Sequence, residues 1–225
     1  MVKAASKTPE SGPSAKDWAS ATEQQVLDAA LKIAPTEGWS ARMATLAGQA
    51  CGLSAGETEL LLPQGPADLA ALLSRRHDTN ALEALAALDP ATLKIRERIA
   101  RAVEARLNAA AADEAAVRRC AGFLTLPSHA ALGARLAWES ADVLWRWAGD
   151  TATDENHYTK RLLLAGILTG AMAIRLSSGP AAALAFTDRR IANVMAFETW
   201  KRTTKLKPSK FMDEMAGALS RARYR

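Results

Sequence analysis

The chain has 225 residues, 49% of them hydrophobic and 24% charged, with a net charge of +5 and two cysteines. That size and apolar content can bury a core without covalent staples, and so few cysteines exclude a disulfide scaffold. The longest uncharged apolar stretch, Leu162 to Ile174, falls short of the ~18–20 residues that span a bilayer, so no integral membrane segment is expected.

Ala, Leu, Glu and Arg dominate, and alternating runs of Val, Ile, Thr and Tyr are missing. Propensity therefore predicts an all-α fold. The basic excess is local. Lys201, Arg202, Lys205, Lys207, Lys210, Arg221, Arg223 and Arg225 face only Asp213 and Glu214, so the last stretch carries +6 and the rest of the chain −1. A basic tail of this kind suits an anionic lipid surface as well as nucleic acid.

Residues 1–19 mix Lys, Ser, Pro, Gly and Ala without apolar periodicity and read as a disordered leader with no secretory h-region. A first helix is predicted from Ser20 to Ala34, stopped by Pro35, with Val26, Ala29, Ala30 and Ile33 on one stripe. Ser40 caps a second, Ala41 to Cys51, and Gly52 ends it. Ser54 starts a third, Ala55 to Leu62, and a fourth runs from Ala67 to about Leu88. The segment E-G-W-S-A-R-M-A-T-L-A-G-Q-A-C-G-L-S-A-G resembles the helix-turn-helix domain of TetR-type regulators, and residues 20–88 are taken as that unit. Its reading helix, however, offers Glu57 and Glu59 and no Lys or Arg, so DNA is not an expected partner.

A bundle is predicted over residues 89–201. From Asp89 to Arg119, Leu93, Arg96, Ile99, Ala100, Val103 and Leu107 are read as one inward face, while Lys94, Glu97, Arg98, Arg101, Glu104 and Arg106 are assigned to the wet side. Pro127-Ser128 opens a helix that Gly149 closes. Thr153 caps the next, with Asp154 and Glu155 in its first turn, extending to about Leu176. The middle of that helix is apolar all round, which requires burial by protein or ligand, and Gly166 and Gly170 leave room for a close neighbour or a thin chain. Pro180 to Lys201 forms another helix. After a basic linker, Ser209 caps a last one whose Phe211, Met212, Met215 and Leu219 make a narrow apolar stripe suited to a membrane interface.

The run W-x-W-A-G-D-T-A-T-D-E-N-H-Y-T-K-R, preceded by Leu-Pro, resembles the ubiquinone (coenzyme Q) biosynthesis accessory family of TetR-like lipid-binding proteins of mitochondria and alphaproteobacteria. The resemblance implies a non-catalytic protein that binds an isoprenoid or quinone lipid and helps the di-iron hydroxylase of the ubiquinone pathway reach it. It places the hydroxylase-docking patch on Asp154, Asn156, His157, Tyr158 and Arg161, with His157 standing where eukaryotic members have Trp. It also implies a terminal membrane-binding helix, a homodimer, and a location peripheral to a bacterial inner membrane or, in a eukaryote, on the matrix side. The expected lipid cavity is lined by Phe123, Leu124, Leu136, Leu144, Leu163, Ile167, Leu168 and Met172. The histidines and cysteines lack metal-ligand spacing, and no nucleophile or phosphate-loop motif occurs, so neither catalysis nor a cofactor is expected. The alternative is a ligand-responsive TetR-type regulator.

Overall fold

A computed structural model describes residues 15–151 and 155–203. Among them the chain forms nine α-helices, one 3-10 turn and no strand, as its composition predicts. The helices are α1 (Ala15–Glu37), α2 (Ala41–Ala50), α3 (Ala55–Leu61), α4 (Pro66–Leu85), α5 (Ile95–Ala109), α6 (Glu114–Leu124), α7 (Ala130–Trp147), α8 (Glu155–Ser178) and α9 (Pro180–Thr203). Asp154, the Thr153 cap, and the predicted terminal helix with Phe211, Met212, Met215 and Leu219 lie outside the described residues, as does the side chain of Asn156.

The N-terminal helices follow local chemistry, with two differences: α1 begins at Ala15, inside the segment expected to be a disordered leader, and it runs past its expected stop. Pro35 lies inside α1, close to its end, and the helix stops instead at Gly38, whose φ of +75° reverses the chain. Arg119 of α6 donates to the Pro35 carbonyl at 3.1 Å, tying that end down. Gly52, at φ +78°, turns the chain from α2 to α3. Ser54 and Glu57 then cap α3 reciprocally: the Ser54 amide donates to Glu57 at 2.8 Å, and the Glu57 amide donates to Ser54 Oγ at 3.3 Å.

Gly48 is where α2 and α3 touch. A Cβ there would lie 2.2 Å from Thr58 Oγ1 and 3.0 Å from Thr58 Cβ, and so short a side chain cannot swing away. Gly166, also inside a helix, has nothing within 4 Å of an added Cβ. Gly48→Ala is therefore expected to lower unfolding stability by about 1–3 kcal/mol through overpacking. Gly166→Ala should leave it unchanged or raise it. Urea midpoints of the two variants, compared with the parent, check the pair.

The helices enclose two apolar cores. In the first, Val26, Leu27 and Ala30 of α1 meet Met43 and Ala47 of α2, Leu69 and Leu73 of α4, Cys120 and Phe123 of α6, and Leu136 of α7. The second joins Leu85 of α4, Val103 and Leu107 of α5, Ala141 and Leu144 of α7, Leu164, Leu168 and Ala171 of α8, and Ala183 of α9. Helices α4 and α7 serve both, and Met172 packs against each.

Three expectations are corrected. Arg96, read with the inward face, is exposed. The segment from Asp89 to Arg119 is broken between α5 and α6, and Arg106 is buried rather than wet, because it falls within the stripe of Ile99, Val103, Leu107 and Ala110. Arg101 pairs across one turn with Glu104 at 3.0 Å. Helix α8 is not enclosed on every side: Leu164, Leu168 and Ala171 are buried, while Leu162 and Leu163 are 68% and 42% exposed. Its His157–Ser178 stretch is long and apolar enough by composition to cross a membrane, with mean hydropathy 1.3. Here it packs against α5, α7 and α9, and Arg161 and Arg175 on it are buried by protein.

Candidate ligand cavity and surface patch

Where the two cores meet, their side chains do not close the space. A cavity of about 510 Å³ remains, walled by Ala70 and Leu73 of α4, Leu107 of α5, Val117, Cys120 and Leu124 of α6, Leu136 and Ala137 of α7, and Leu168, Met172 and Leu176 of α8. That volume lies in the range of small-molecule pockets, about 300–1,000 Å³. Thr125, Ala130, Ala134, Thr169 and Ala173 line it too and are exposed, so they form its mouth at α6, α7 and α8.

Leu124, Leu136, Leu168 and Met172 line the cavity as expected; the other four residues expected there do not. Leu144 and Ile167 are spent in the second core. Phe123 turns into the first core and stacks on His129, ring centroids 3.9 Å apart. Leu163 lies on the outer face of α8. The apolar run of α8 hides which of its faces looks inward, which leaves Leu163 and Ile167 unplaced by periodicity, while Leu144 and Phe123 depend on how the two cores abut.

The lining also includes polar residues that the sequence reading passed over: Ser74, His77, Arg106 and Ser140. Arg106, 9% exposed, donates from Nε to Asp78 Oδ1 at 2.6 Å and from Nη2 to the carbonyl and hydroxyl oxygens of Ser74, both at 3.4 Å. Ser140 Oγ donates to Asp78 Oδ2 at 3.0 Å. Burial raises the Asp78 carboxyl above its ordinary value, with the Arg106 charge opposing. His77 meets Asp113 Oδ2 through Nε2 at 3.2 Å. Burial first, and then the Arg106 charge, push His77 down to about 4, so at neutral pH it is uncharged and Nε2 carries the proton. Burial pushes the Cys120 thiol up to about 12, which makes it an inert part of the wall.

The His77 shift has a consequence for stability. Between pH 6.5 and about 4 the unfolded chain takes up a proton at this residue that the folded one refuses. Stability is thus complete above the ordinary histidine range and falls as pH drops through that window, by at most about 3 kcal/mol. Urea unfolding of the parent and of His77→Gln over this window should differ in pH slope by one proton, the parent being the steeper.

At the start of α8 an aromatic patch forms. The Tyr158 ring lies 6.0 Å from Trp138 of α7 and 5.2 Å from His157, and Tyr158 is 64% exposed. Trp138, half-buried, was read from sequence only as part of an apolar helix face. Arg161 behaves differently from its expected role. It is 2% exposed and points inward, donating to Asp142 at 2.5 Å and to Asp150 at 3.0 Å, as well as to the His157 carbonyl at 3.2 Å. Lys160 adds a 2.6 Å bond to Asp150. Burial would raise both carboxyls, but these cationic donors outweigh it and hold Asp142 and Asp150 below the usual carboxylate range. Arg161 therefore positions the backbone under His157 and Tyr158. Tyr158, Leu162, Gly166, Thr169 and Ala173 are exposed at helical spacing, so patch and cavity mouth share one face of α8.

Comparison with known proteins agrees with the resemblance carried by this segment. Residues 130–198 match the COQ9 family model. The chain is 30% identical to bovine ubiquinone biosynthesis protein COQ9, mitochondrial, over 168 residues, which are 71% of this chain and 53% of that protein. It is 29% identical to the rat protein of the same name over 199 residues, 84% of this chain and 64% of the relative. With COQ9-A of Xenopus laevis it shares 31% over 157 residues, 64% of this chain and 48% of the relative. The matches thus span 48–64% of the length of these curated relatives.

Proposed function

From this kinship with the COQ9 proteins, we propose that the protein is a non-catalytic accessory of ubiquinone biosynthesis. It binds isoprenoid quinone intermediates in the cavity and presents them, at the membrane, to the di-iron demethoxyubiquinone hydroxylase. The observation that carries the reading is an apolar cavity whose mouth lies on the same face of α8 as the aromatic patch. Each methylene that moves from water into such a cavity gains about 0.8 kcal/mol, so even a partly inserted isoprenoid chain is held.

In this reading Trp138, His157 and Tyr158 form the docking patch, with Trp138 supplying the large apolar anchor that His157 lacks. Phe211, Met212, Met215 and Leu219, with the basic residues around them, meet anionic lipid. The protein works as a homodimer, peripheral to a bacterial inner membrane or on the matrix side of a mitochondrial one. The helix pair α2–α3 leaves a regulator as the alternative. Against it, α3 carries Glu57, held in its cap, and Glu59, and presents Leu60 at 83% exposure where a DNA reader needs cations.

Trp138→Ala and Tyr158→Ala test the docking. Each should weaken hydroxylase binding, measured by calorimetry, by at least about tenfold, as truncating an aromatic anchor does. Neither should alter lipid content. Undiminished binding in both variants, or a specific salt-sensitive DNA footprint in its place, overturns the assignment.

A further inference from the structure

The polar residues of the cavity are not scattered. Ser74 Oγ lies 3.5 Å from Ser140 Oγ and 3.4 Å from Arg106 Nη2, and Ser74 and His77 sit one turn apart on α4. His77 and Ser140 are each 3% exposed, so this cluster occupies the deep end. Thr125 and Thr169, at the mouth, spend their hydroxyls on the carbonyls of Gly122 and Ala165. Everything between the two ends is apolar or a small side chain.

Hydrogen-bonding capacity is left over at that deep end. Arg106 Nε and Nη2 have partners, whereas Nη1 has none among the described residues. Among the described residues the fully buried side-chain atom without a partner is Arg175 Nε, which lies outside the cavity wall, so Arg106 Nη1 is not sealed in protein, and Arg106 is part of the lining. Neutral His77, with Nε2 engaged by Asp113, keeps Nδ1 as an acceptor. Asp78 already balances the Arg106 charge. A second anion would lie beside that carboxylate in a low-dielectric site, and a cation would face the guanidinium. An uncharged oxygen takes the spare N–H without burying new charge.

Resting on the reading that a lipid occupies the cavity, we propose that the cavity recognises an uncharged, oxygen-bearing head, a ring carbonyl, phenol or alcohol. The head seats against Arg106, Ser74 and His77, and its single apolar chain leaves through the mouth at α6, α7 and α8. A carbonyl accepts from Arg106 Nη1, and a hydroxyl head can also donate to His77 Nδ1. Polarity confined to the closed end fixes the direction of insertion as well as the class of ligand.

Chain-matched probes test this on the full, delipidated protein: a decyl-substituted benzoquinone, decanol, decylbenzene and decyl phosphate, each titrated against a bound fluorescent fatty probe. The quinone and the alcohol should bind at least about tenfold tighter than decylbenzene, the gain expected of a charge-assisted hydrogen bond. Decyl phosphate should bind more weakly than both. Ser74→Ala and Arg106→Met should each shrink or erase the affinity ratio of quinone to decylbenzene. The series on the unmodified protein decides the matter if Arg106→Met fails to fold. Equal affinity for quinone and decylbenzene, or tightest binding of the phosphate, overturns the inference while lipid binding itself stands. Binding of none of the four defeats the lipid reading instead.

Discussion

Arg161→Met is expected to destabilise the protein by about 3–5 kcal/mol, the usual cost of removing one member of a buried ion-pair cluster. The resemblance assigns this residue to a docking surface, yet its guanidinium is almost wholly enclosed and bridges Asp142 on α7 to Asp150 at the α7–α8 turn. Its loss leaves Asp142 to Arg146 alone, at 2.8 Å, and takes one of two cations from Asp150, whose side chain is only 5% exposed. The Lys160 bond relieves Asp150 in part. Denaturant midpoints should show the loss, and adding Asp150→Asn to Arg161→Met should recover part of it, because that buried charge is then gone. Hydroxylase binding by Arg161→Met should fall with the folded fraction and with the loss of backbone support under His157 and Tyr158, and so never without a loss of stability. Parent-like stability together with abolished binding would instead make Arg161 a direct contact.

The second large effect concerns the cavity. Ala137 stands on its α7 wall, between the deep cluster and the mouth. Ala137→Phe fills empty space rather than displacing packed atoms, so the penalty of about 1–3 kcal/mol for overpacking does not apply. The new ring obstructs the path of an inserted chain. Ligand affinity should fall by at least about tenfold, a little over 1.4 kcal/mol, while the unfolding midpoint stays level or rises. Liposome binding should not change, because the basic tail and its apolar stripe are untouched.

Much of the architecture is legible in the chain because its punctuation is local. Ser40, Ser54, Gly38 and Gly52 end or start helices for reasons within a few residues of themselves, and α2 and α3 fall within a residue of their expected bounds. The cavity is harder. Leu124 and Met172 can be guessed from an apolar pattern, but whether Leu144 or Leu168 faces a void depends on how two cores abut, which no single periodicity encodes.

Arg106 marks the other difficulty. Its place on the stripe of Ile99, Val103 and Leu107 shows that it turns inward, yet its partner Asp78 is 28 residues away on another helix. Charge by itself suggests solvent; only the long-range pair makes burial tolerable. Trp138 and Tyr158 likewise meet across two helices, and neither segment announces the other.

Native mass spectrometry of the purified full chain, with solvent extraction of whatever travels with it, tests the central claim most directly. The protein expressed in a ubiquinone-producing host should carry an isoprenoid or quinone adduct, and Ala137→Phe should appear at its bare mass. A bare mass for the unmodified protein, or the same adduct on both, would contradict the account.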